Sequence, residues 1–231
     1  MMDEYQLNVT QILEHTAKTF GKQRIIDRTS KNEIREQTYA ETWKKVQRLS
    51  NFLTYELEVE PGDIIGVLDW NTLEFLELYY GIPGIGAVIL QLNLRLHPSE
   101  LVYIANKASV KTLFVGEAVI ELANQIIREI KNLKSCVVMG PHEREAEINF
   151  DPVYYYNEEL KKSKLKFDFP MIDERSGAAM CFTSGTTGRP KGVIYSHRAL
   201  VLQALTLLQA VALVTKLSYH DIVMNLSLIH I

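Results

Sequence analysis

Four short apolar runs, at residues 64–68, 87–92, 110–115 and 136–139, set the terms on which this chain can fold. They are rich in β-branched residues and show no strict alternation with polar ones, which is the pattern of strands buried on both faces. The segments between them read as helices. Residues 72–80 are helical, with Asn71 or Thr72 as cap. Pro98 opens a second helix that runs to Lys107, proline being well placed in a first turn. Residues 117–131 give a third. Upstream, Val9, Ile12, Leu13 and Ala17 mark a helix over 8–19. Tyr39, Trp43, Val46, Leu49, Phe52 and Leu53 mark a longer one over 38–57. Residues 81–86, rich in Gly and Pro, read as a turn. Alternation at this spacing predicts an α/β fold, a doubly wound and mostly parallel sheet with flanking helices.

Beyond residue 139 the signal thins. Residues 140–151 are polar and turn-rich, and 150–160 predict a short strand and helix. The lysine-rich run 161–166 reads as a solvated connection between layers. A further strand begins at Ala178 and leads into the most distinctive stretch of the chain, Cys181-Phe-Thr-Ser-Gly-Thr-Thr-Gly-Arg-Pro-Lys-Gly-Val193. From Thr183 to Pro190 every residue but Arg189 is Gly, Ser, Thr or Pro. Glycines let successive N–H groups turn into one concavity that binds anions. The hydroxyls of Thr183, Ser184, Thr186 and Thr187 add donors and metal-ligating oxygens, and Lys191 adds a point charge for phosphate. The Walker loop is excluded, because Pro190 precedes Lys191, Gly192 follows it, and the next residues favour strand over helix. Composition alone leaves a ligand-free Gly/Thr hairpin open.

The run resembles the phosphate-loop signature of the adenylate-forming superfamily, which includes acyl-CoA synthetases, luciferases and peptide-synthetase adenylation domains. Leu76-Glu-Leu-Tyr-Tyr-Gly-Ile-Pro-Gly-Ile-Gly-Ala-Val88, with Asn93-Leu-Arg-Leu-His-Pro-Ser-Glu100, resembles the region upstream of that loop. Val193-Ile-Tyr-Ser-His-Arg-Ala-Leu-Val-Leu202 is most similar to bacterial medium- and long-chain fatty acyl-CoA synthetases. The resemblance spans about Val9 to Asn225. It implies ATP-dependent adenylation of a fatty acid to acyl-AMP, then thioester formation with coenzyme A, with Mg²⁺ assisting. It places Thr183 near Mg²⁺, Ser184, Gly185, Thr186, Thr187 and Gly188 along the β- and γ-phosphates, and Lys191 as the catalytic positive charge. The superfamily's Thr-Glu motif, ribose aspartate, hinge and small C-terminal domain with its lysine are not found in these residues. Residues 1–225 are therefore expected to be the N-terminal part of the large domain, inactive alone. The last six residues, Leu226-Ser-Leu-Ile-His-Ile231, match the translation of a sequencing-library adapter and are expected to be read-through. An adenylating ligase for a short-chain or methylthio-type acid, and a non-catalytic nucleotide-binding module, are the alternatives.

Other features point away from competing classes. A net charge of −3 is too small to argue for nucleic acid, and 47% apolar with 23% charged residues is ordinary for a globular chain. Cys136 and Cys181 read as buried reduced thiols of a cytoplasmic protein. Residues 199–217 are apolar but interrupted by Gln, Thr and Lys, so a buried helix is expected rather than a membrane span. Peripheral membrane contact and a homodimer of the full-length parent remain open. His197 reads as a capping or packing residue at a helix start, Asn93 and Arg95 as holders of the turn before Pro98. Glu74 and Glu77, three apart, read as a solvated helix face.

Overall fold

The computed structural model describes residues 5–145, 147–183 and 190–215, with side chains as far as residue 210. Ser184, Gly185, Thr186, Thr187 and Gly188, Asn225 and the segment 226–231 lie outside the described residues. The strands are β1 Arg24–Arg28, β2 Ile34–Thr38, β3 Ile64–Leu68, β4 Val88–Gln91, β5 Thr112–Gly116, β6 Ser135–Met139, β7 Val153–Tyr155, β8 Gly177–Thr183 and β9 Lys191–Ser196. The helices are α1 Val9–Thr19, α2 Tyr39–Asn51, α3 Leu73–Gly84, α4 Pro98–Lys107, α5 Ile120–Ile126, α6 Tyr156–Lys162 and α7 His197–Thr215.

The four apolar runs become β3 to β6, the buried centre of a seven-stranded sheet ordered β7-β6-β5-β3-β4-β8-β9. All neighbours are parallel except β8 and β9. Helices cover both faces. On one, α2 with the turn that continues it, α3 and α6 pack Leu49, Phe52, Leu78, Ile82 and Tyr156 against Ile65, Val67 and Phe114. On the other, α4 and α5 pack Leu101, Ile104, Ala123 and Ile126 against Leu68, Leu113 and Cys136. The doubly wound expectation holds.

Several local expectations need correction. α3 runs through 81–84 instead of turning there. Its glycines serve close approach: a Cβ on Gly81 would strike Leu49 of α2, and one on Gly84 would strike Phe169 and Thr10. The turn comes at Gly86, at φ +85°, a conformation glycine adopts without strain. The helix expected over 38–57 is α2 capped by Thr38, continued by one π-helical turn at Phe52–Glu56. The helix expected over 117–131 is α5 alone, framed by two 3₁₀ turns. The β1–β2 hairpin was not signalled by its sequence, because Ile34-Arg-Glu-Gln-Thr38 offers little apolar alternation. Cys136 is buried, its thiol pushed up to about 12 by that burial, but Cys181 is only half-buried. The helix expected to be buried, α7, leaves Leu202, Leu205, Leu207 and Leu208 exposed.

Candidate phosphate-binding site

β8 enters the sheet parallel to β4, pairing Ala179 with Ile89 and Met180 with Leu90. Its last residue, Thr183, therefore emerges at the carboxyl edge of the parallel strands, where open α/β sheets bind ligands. β9 returns antiparallel, and the register sets Thr183 directly across from Lys191. The Gly/Thr run thus connects two adjacent strand ends. Both residues are exposed. A hydroxyl-bearing and an ammonium-bearing residue thus stand opposite each other where the two strands end.

Behind the hairpin, His197 fixes the start of α7. Its ring is fully buried, and its Nδ1 accepts a hydrogen bond from the Val9 backbone N–H at 3.3 Å. The strand after the turn is thereby tied to the first residue of α1. Burial pushes the imidazole down to about 4, so it is neutral at physiological pH. This is the packing role its sequence position suggested. Asn93 likewise holds a turn, its Oδ1 accepting from Arg95 N–H at 3.0 Å.

Sequence reasoning misplaced a second cluster. Glu74 and Glu77 are not on a solvated face; they are 1% and 0% exposed. Glu74 accepts both arms of the Arg35 guanidinium, at 2.6 and 2.8 Å, and Arg35 also binds Asp27. Burial raises the Glu74 carboxyl, but the hydrogen bonds and charge of Arg35 outweigh it and leave Glu74 below the usual range. Glu77 accepts from Gln37 Nε2 at 2.8 Å and Tyr156 Oη at 2.6 Å, with Lys45 Nζ at 3.2 Å. Burial still raises its carboxyl. α3 is apolar on nearly every side, so its two acids are buried with it, and their partners come from distant segments.

A third buried acid, Asp69, follows β3. Its oxygens accept from Trp70 N–H at 2.8 Å and Thr72 Oγ1 at 2.6 Å, and burial pushes its carboxyl up to about 7. It shares the carboxyl edge with Thr183 but stands two strands away, roughly 10 Å at the usual strand spacing. These acids brace the β1–β2 hairpin and the end of β3. Among the described residues, no three His, Cys, Asp or Glu side chains come together to hold a metal ion. Thr183 offers one hydroxyl oxygen, which suits an ion such as Mg²⁺ that keeps water and phosphate in its shell.

The profile of the AMP-binding enzyme family matches residues 13–231. The chain belongs to the AMP-binding enzyme family. Within it, the chain is 38% identical over 226 residues to a long-chain-fatty-acid–CoA ligase of Thermus thermophilus, covering 97% of this chain and 39% of that relative. It is 34% identical over 198 residues to a 3-methylmercaptopropionyl-CoA ligase of Ruegeria pomeroyi, covering 86% of this chain and 36% of the relative. In three dimensions it superposes on an anthranilate CoA ligase bound to anthranoyl-AMP with a TM-score of 0.73, at 22% identity, over 86% of this chain and 36% of the other. That likeness bears on fold. The chain spans between a third and two-fifths of the length of these family members. No helix among the described residues is long and apolar enough to cross a membrane.

Proposed function

We propose that the parent protein is an ATP-dependent acid–thiol ligase that activates a medium- or long-chain fatty acid. A carboxylate oxygen attacks the α-phosphorus of ATP, forming acyl-AMP and releasing pyrophosphate. The thiol of coenzyme A then attacks the acyl carbon, forming the thioester and releasing AMP. The observation that carries this reading is the pairing of Thr183 with Lys191 at the ends of β8 and β9, bracketing the Gly/Thr run of a family member. The difficulty of the first step is an anion approaching a polyanion, which fixed positive charge and aimed donors relieve. Lys191 is the point charge on the phosphates. Ser184, Gly185, Thr186, Thr187 and Gly188 are assigned to the β- and γ-phosphates through their hydroxyls and backbone N–H groups. Thr183 is the protein ligand we assign to Mg²⁺, which when bound neutralises phosphate charge.

Identity of 34% to a methylmercaptopropionyl-CoA ligase favours a second reading, in which the acid is short and sulfur-containing. Pyrophosphate release by the full-length parent, measured across straight-chain acids and 3-methylthiopropionate, separates the two. Turnover confined to the sulfur acid would sink the fatty-acid assignment. No acid-dependent pyrophosphate release at all would sink the ligase reading. Residues 1–231 alone are expected to make no acyl-CoA, because adenylation and thiol transfer depend on several groups positioned at once. A cytoplasmic setting is in keeping with free Cys136 and Cys181.

A further inference from the structure

At the far end of α1 from His197, a groove opens that the phosphate turn does not use. Ala17 and Lys18 of α1, Ala40, Trp43, Lys44 and Gln47 of α2, and Leu165 and Lys166 line an open groove of about 360 Å³. From Val9, where His197 attaches, to this last turn of α1 is roughly 12 Å along the helix. The floor is apolar: the Trp43 ring, the Ala40 methyl and Leu165. Three lysines, Lys18, Lys44 and Lys166, join the lining from three separate segments.

The walls are fixed. Arg48 Nη1 donates to the carbonyls of Leu160 and Ser163 at 2.8 Å, and Asn51 Nδ2 to those of Lys164 and Lys166 at 3.0 Å. The segment carrying Leu165 and Lys166 is thereby pinned along α2. Trp43 stacks on Phe169 with centroids 5.1 Å apart, which holds the indole in place. The rim charges are available. Among the described residues, Lys18 pairs with half-exposed Glu14, and Lys166 with Asp168, where both side chains are over 80% exposed. Such pairs are weak and exchange readily. Lys44 is exposed and has no ion-pair partner among the described residues.

We propose that this groove binds a single-chain aliphatic anion, its tail on Trp43, Ala40 and Leu165 and its charged head among Lys18, Lys44 and Lys166. The volume lies at the small-molecule end of binding sites, large enough for a chain and too small for a helix or a duplex. Apolar floor and cationic rim complement an amphiphile of one negative charge. The inference uses none of the residues assigned to ATP, so it stands or falls apart from the ligase reading.

The two tryptophans are Trp43 and Trp70, so a chain carrying Trp70→Phe reports from the groove alone. Titration with decanoate below its micellar range should give a saturable change in Trp43 emission, and decanol should not. Combined Lys18→Glu, Lys44→Glu and Lys166→Glu should weaken the decanoate response at least about tenfold, with unchanged far-ultraviolet circular dichroism. If that triple change unfolds the chain, Lys44→Glu alone, at an exposed position, should weaken binding several-fold. Equal responses to decanol and decanoate would overturn the proposal, as would binding indifferent to charge reversal. A Trp43 shift with phosphatidylglycerol vesicles but not with monomeric decanoate would assign the face to a membrane and overturn it too.

Discussion

Two exposed side chains carry most of the functional reading, and neither supports the core. Lys191→Ala or Thr183→Ala should leave the thermal midpoint of the full-length parent nearly unchanged. Each should slow acid-dependent pyrophosphate release by about 2–4 kcal/mol of transition-state stabilisation. A variant with the original rate at saturating ATP would remove that residue from the site. Buried titratable groups make the opposite kind of prediction. Asp69, lifted from 3.8 to about 7, holds a proton in the folded chain that the unfolded chain releases. Stability from this group therefore falls as pH rises through that window. His197, lowered from 6.5 to about 4, has the reverse sign: the unfolded chain takes up the proton first, and stability falls as pH drops from 6.5 toward 4. The two offset each other over much of the acid range. Asp69→Asn should expose the histidine slope, and its stability relative to the original chain, measured by urea unfolding, should rise between pH 4 and 7. A constant difference across that range would mean that Asp69 is not perturbed.

Among the elements, the β1–β2 hairpin is held to the body by charge. Arg35 of β2 reaches Glu74 of α3 as well as Asp27 of β1. Arg35→Ala leaves two buried carboxylates without their cation and should cost about 3–5 kcal/mol. Arg24→Ala breaks an exposed pair with Glu36 and should cost about 1 kcal/mol or less. Comparable losses in chemical denaturation would contradict the burial assigned to Glu74. This contrast marks where the sequence was legible. Strands buried on both faces announce themselves by composition, so β3 to β6 and the strand–turn–strand around 183–191 could be read directly. Glycines serving close packing look the same as glycines serving turns, which hid the end of α3. An acid inside an apolar helix looks the same as an acid on its wet side until its partner arrives from elsewhere, here Arg35 and Tyr156, 39 and 79 residues away. The flanking strands were legible, but the pairing of Thr183 with Lys191 was not, because both strands extend into residues whose Gly, Thr and Lys composition reads as loop. Nor was the groove beside Trp43, because three distant segments build it.

At the scale of the whole molecule, α7 stands out. Among the described residues, His197, Leu200 and Val201 at its start pack inward, and four leucines beyond them are exposed. An apolar surface of that kind drives association. Sedimentation velocity on the 231-residue chain should show concentration-dependent self-association, reduced by Leu205→Glu with Leu208→Glu. Unchanged behaviour in that variant would shift the cause to another face. The strand order has a further bearing on how the molecule comes into being. β3, β4, β5 and β6 occupy one continuous stretch, residues 64–139, and lie side by side in the sheet. They can assemble on a ribosome while the later residues are still being made, since domains form from the N-terminal side during synthesis. β8 must then find β4 across some ninety intervening residues, a slow kind of pairing. The nascent protein thus gains the centre of its sheet first and the β8–β9 hairpin later, so for that interval it is folded at its centre without the pairing of Thr183 with Lys191.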